Sequence, residues 1–127
     1  MQATEVTFEQ LFARRQELVG RPVAVVGKAF FVAQCPPPDS PQTACLLTGY
    51  LAEPSRDDLL FGQRNEGIPV SENGALVSCR EGSAPGGGCP GWQNAQRYRV
   101  VATVEHRVLG GRTTQEVELE VTSKTAE

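Results

Sequence analysis

The last third of the chain alternates apolar and polar side chains with a period of two, and this limits the fold more than any other feature. In QRYRVVATVEHRV (residues 96–108) Tyr98, Val100, Ala102 and Val104 fall on one face, and in EVELEVT (116–122) Val117, Leu119 and Val121 do the same. Alternation of this kind belongs to half-buried strands, not helices. LGGR at 109–112 supplies a hairpin turn between them. The opposite faces carry Arg97, Arg99 and Arg107 on one strand and Glu116, Glu118 and Glu120 on the other. Antiparallel pairing sets opposite charges across from each other, each pair contributing about 0.2 to 1 kcal/mol. Carboxylates on such a solvated face keep ordinary pKa values, so the ladder is read as structural and not catalytic.

Upstream, one helix and three more strands are expected. Thr7 followed by Gln10 forms a capping box, with Val6 and Leu11 placed as a hydrophobic staple. Phe8, Leu11 and Phe12 share one face, Gly20 suits a left-handed cap, and Pro22 forbids continuation, so the helix is expected over residues 8 to about 19. RPVAVVGKAFFVAQ (21–34) then changes to strand chemistry, with Gly27 marking a bend. ACLLTGYLAE (44–53) and GALVSCRE (74–81, centred on Val77) are the remaining strand candidates. The fold class is therefore all-β with one N-terminal helix, and with 127 residues the chain is expected to form a single domain, residues 1–127.

A hydrophobic fraction of 39% and a charged fraction of 21% describe a globular protein, and no apolar run approaches the length of a bilayer span. The net charge of −3 works against a partnership dominated by phosphate backbones. The first residues, MQATEVTFEQLFARR, lack the basic and apolar regions of a secretory leader, which leaves the compartment open between the cytoplasm and an exported mature segment.

Five strands in this order, a glycine bend midway along the first and a long connection between the third and fourth match a small Greek-key barrel of the OB type. The stretch LFARRQELVGRPVAVVGKAFFV, residues 11–32, resembles the opening of bacterial OB-fold domains, a short helix followed by V-G-x-x-V-x-V-x-G, here Val19, Gly20, Val23, Val25 and Gly27. The resemblance implies architecture and, through similarity to nucleic-acid-binding OB modules, a binding role rather than an activity. For single-stranded nucleic acid, Tyr50 is the stacking candidate, joined by Phe30, Phe31, Phe61 and Trp92, with Lys28, Arg56, Arg64 and Arg80 placed to meet phosphates. So few aromatics in an acidic chain predict weak binding or none, no tighter than about micromolar.

Catalytic chemistry finds little support. His106, the only histidine, is expected on the outward face of a charged strand; APGGGCPG lacks the lysine and hydroxyl of a phosphate-binding loop; and Asp57 with Asp58 fits a turn better than a metal site. No catalytic residue and no cofactor are assigned.

The four cysteines repeat one spacing, Cys35-x9-Cys45 and Cys79-x9-Cys89. Two local disulfides stapling two loops are the economical pairing, and they favour an oxidising, extracytoplasmic compartment. A tetrathiolate site for zinc or an iron–sulfur cluster is the alternative, although C-x2-4-C knuckles are missing. With both loops at one pole of a barrel, ligand contact is expected there, through Tyr50, Arg80 and Trp92, the partner being a protein or a small molecule; the structural alternative is that Trp92 closes the barrel end.

Overall fold

The computed structural model describes residues 2–127, apart from the side chain of Phe61. In chain order its elements are β1 (Thr4–Glu5), α1 (Phe8–Ala13), β2 (Pro22–Gln34), β3 (Leu46–Ala52), a 3-10 helix (Phe61–Glu66), β4 (Ile68–Glu72), β5 (Ala75–Leu76), β6 (Ser78–Arg80), β7 (Gln96–Leu109) and β8 (Arg112–Ala126). The chain is mostly β with one α-helix, as expected.

α1 starts where its capping box dictates. The Gln10 amide donates to Thr7 Oγ1 at 3.1 Å and the Thr7 amide to Gln10 Oε1 at 3.0 Å. It ends at Ala13, earlier than the expected residue 19, because the chain turns through residues 14–20. That turn buries Leu18 and lets the Gly20 amide donate to the Val104 carbonyl at 2.6 Å, so a tertiary contact overrides helix propagation.

β2 serves two partners. Pro22–Ala29 pair with β7, and Lys28–Gln34 pair with β3. Gly27 lies where the two pairings meet, and the reason for glycine is close approach: a Cβ there would stand 2.5 Å from Leu51 Cγ. β3 then runs antiparallel to β4, β4 runs parallel to β8, β8 pairs with β7, and β7 returns to β2, so five strands close a ring of pairings. Inside it lie Val23, Val25, Leu47, Leu51, Ile68 and Val70 with the alternating rows read from β7 and β8, all buried. A second, smaller cluster of Phe30, Val32, Tyr50, Ala52 and Leu59 covers the other face of β2 and β3.

The third strand of the ring differs from the expectation. It is Ile68–Glu72, not the segment around Val77. Its proline hides it from a strand pattern, yet Pro69 is tolerated opposite Tyr50 while Ile68 and Val70 bury on either side. After a turn at Asn73–Gly74 the chain returns as β5 and β6. Val77 bridges two neighbours, its amide donating to Val70 O at 3.0 Å and its carbonyl accepting from the Gly49 amide at 2.8 Å. β4 thus occupies one half of the β3 edge and β6 the other.

The charge ladder is also rearranged. Of the expected cross-strand pairs, Arg107 with Glu116 forms, at 3.5 Å. Irregularities at Val101/Ala102 and His106/Val108 shift the register, so Arg97 meets Glu127, Arg99 meets Glu5, and Glu105 faces Glu118. His106 is not on the outward face. It continues the row of Val104, opposite Val117, and its Nδ1 is buried without a hydrogen-bond partner.

Candidate functional site

The cysteines pair locally, Cys35 with Cys45 and Cys79 with Cys89. Both bonds sit at one end of β3. Leu46 pairs with Arg80, Leu47 with Cys79, and the Glu81 amide donates to the Cys45 carbonyl at 2.8 Å. The second bond anchors a short antiparallel bridge between Cys89 and Trp92, whose amides donate to each other's carbonyls at 3.1 and 2.9 Å.

Trp92 is a core residue, 3% exposed. Its Nε1 donates to Glu72 Oε1 at 2.7 Å, the Lys124 ammonium lies 4.5 Å over its ring and 3.0 Å from Glu72 Oε2, and the Tyr98 ring packs at 5.1 Å. A buried indole whose one donor is satisfied this way holds the end of β4 to β8 and to the start of β7. Beside it, Pro85, Cys89 and Tyr98 border an open depression of about 400 Å³.

Tyr50, Arg80 and Trp92, expected at one site, are not brought together. Arg80 borders neither depression. Tyr50 stands four residues along β3 from the Leu46–Arg80 pair, about 13 Å at strand rise, and lines a separate cleft of about 390 Å³.

That cleft is assembled from distant parts of the chain. α1 contributes Phe12, the turn after it Arg15, the 3-10 helix Arg64, β4 Pro69, and the β7–β8 hairpin Arg107 and Glu116. Arg15 is held by its own neighbour: its Nη1 donates to the Phe12 carbonyl and its guanidinium lies 4.3 Å from the Phe12 ring. Gly67 brings the chain from the 3-10 helix tightly past β3, where a Cβ would lie 3.1 Å from Leu51 O and 3.3 Å from Tyr50 Cβ. The irregularity at His106/Val108 gives Arg107 its place, with its side chain 20% exposed and its Nη1 3.5 Å from Glu116 Oε2. Arg107 Nε is buried and has no hydrogen-bond partner.

The lining sets three guanidinium groups, Arg15, Arg64 and Arg107, against one carboxylate, Glu116. Behind it, burial raises the pKa of Glu118, with repulsion from Glu105 and Glu120 adding and Arg107 opposing. Guanidinium groups stay protonated at any physiological pH, so these three side chains present fixed positive charge to the cleft.

Two of the residues named from sequence for phosphate and base contact, Arg64 and Tyr50, do meet in this cleft. Others are engaged elsewhere: Lys28 donates to the Arg56 carbonyl at 2.9 Å, Arg56 pairs with Glu66 at 3.1 Å, and Phe30 is buried. Phe31 is half-buried against the core, and the Phe61 side chain lies outside the described residues. Phe12, Arg15 and Arg107 were not singled out as binding residues by sequence; Arg107 was absorbed into the strand ladder. Comparison with family models, with curated proteins and with solved structures finds no match for the chain. Among the described residues no helix is long and apolar enough to cross a membrane.

Proposed function

We propose that the chain is a non-enzymatic binding module built on an OB-fold barrel, with the arginine-lined cleft as its ligand site. The ring order supports the fold: β4 lies beside β8 and not beside β7, the next ring strand in sequence, which makes a Greek key and not a meander. The position of the cleft carries the function. OB folds bind ligands on the face of their second and third strands and through the loop joining the fourth and fifth. Here β3 and β4 are the second and third strands of the ring, and the cleft lies between them and the β7–β8 hairpin. Two disulfides in a small domain fit an oxidising, extracytoplasmic compartment.

The test is a fragment titration followed by backbone amide NMR, using neutral aromatic, sugar-like and anionic fragments. Shifts are expected to cluster at residues 12–16, 50, 64–69, 107 and 115–117. Shifts confined to the disulfide-bonded loops, or none in the cleft, refute the assignment.

A further inference from the structure

We infer that the ligand of this cleft is a small molecule bearing an oxyanion, a phosphoryl or carboxylate group, held by Arg107 together with Arg15 and Arg64. The inference rests on the cleft being the binding site and adds the class of ligand.

Charge is the first ground. In a chain of net charge −3, three guanidinium groups and one carboxylate line a single cleft. Like charges gathered in a partly enclosed space repel through a medium that screens them less than bulk water, and a bound anion removes that repulsion.

Arg107 supplies the second ground. Its guanidinium is largely enclosed, yet the carboxylate that lines the cleft with it, Glu116, is 3.5 Å away and its Nε has no acceptor. A planar guanidinium matches the paired oxygens of a carboxylate or phosphoryl group, so an oxyanion in the cleft can accept from its Nη groups at closer range than Glu116 does. Size is the third. About 390 Å³ is at the lower end of small-molecule sites and holds one compact ligand, not a length of nucleic-acid strand.

The experiment titrates the whole chain with inorganic pyrophosphate, with tricarballylate and with an oligo-dT strand, at 0.15 M salt, following arginine Nε–H signals. We expect saturable binding of pyrophosphate or tricarballylate, with shifts at Arg15, Arg64 and Arg107; whichever binds tighter identifies the phosphoryl or the carboxylate source. R107Q should weaken that binding at least tenfold, the loss expected for a charge-assisted hydrogen bond, while R80Q, outside the cleft, leaves it unchanged. If R107Q loses its β spectrum, R15Q takes its place.

The inference is overturned if neither anion saturates, if R80Q and the cleft variant weaken binding equally, or if oligo-dT alone binds. Neutral fragments that shift cleft residues when neither anion does would sink the anion and leave the site standing. No binding of any kind in the cleft sinks both.

Discussion

The two disulfides offer a controlled comparison, because each spans a sequence separation of 10. In the chain-entropy description, closing about 10 residues removes about 9 cal/mol/K from the unfolded state, or about 2.7 kcal/mol at 25 °C. Loop entropy alone therefore predicts equal losses for the double variants Cys35→Ala/Cys45→Ala and Cys79→Ala/Cys89→Ala. The surroundings predict otherwise. Cys35 is exposed, whereas Cys89 is 3% exposed, belongs to the main core and holds Trp92 through two backbone hydrogen bonds. Losing that sulfur opens a small void and loosens the bridge to Trp92, together adding about 1 to 2 kcal/mol. The expected losses are about 2.7 kcal/mol for the first pair and about 4 kcal/mol for the second, read from urea unfolding of both variants under the same conditions. Equal losses would mean that the Trp92 bridge contributes nothing beyond chain entropy. A larger loss for the Cys35–Cys45 variant would contradict the assignment of Trp92 to the core.

Gly27→Ala places a Cβ 2.5 to 2.9 Å from three side-chain carbons of Leu51, which is fully buried, and should cost about 1 to 3 kcal/mol. In a Leu51→Ala background most of that cost should vanish, and an equal cost in both backgrounds by urea unfolding would disprove the close approach. Glu118 has its pKa raised from the ordinary value of 4.5, first by burial and then by Glu105 and Glu120. A raised carboxyl stabilises the fold most below its unfolded pKa and loses that contribution as pH rises through the folded value. Glu118→Gln should therefore raise the unfolding midpoint at pH 7, by less than about 1 kcal/mol after solvent screening, and bring no gain at pH 3.5; a gain that grows on acidification would contradict the cause assigned.

Local chemistry was legible in the sequence where neighbours in the chain decide the outcome. The Thr7–Gln10 box, the Gly110–Gly111 turn, the inward rows of β7 and β8 and the pairing of cysteines across short loops all depend on spacings of a few residues. Where distant partners decide, it was not. The helix stops early because Gly20 finds Val104, and β4 is a central strand despite Pro69 because the residues flanking that proline bury in the ring. Register is the subtlest case: His106 faces inward by continuing the alternation of Val104, and an irregularity at His106/Val108 removes Arg107 from a regular ladder. The same irregularity places Arg107 in the cleft. A cleft lined from residues 12 to 117 has no motif of its own, since each segment looks like ordinary surface until the strands are paired. Its trace in the sequence is an accounting one. Once the strand register is known, Arg97 finds Glu127 and Arg99 finds Glu5, while the lining of the cleft sets three guanidiniums against one carboxylate. A local excess of one charge in the lining of a cleft fits a partner supplying the other sign.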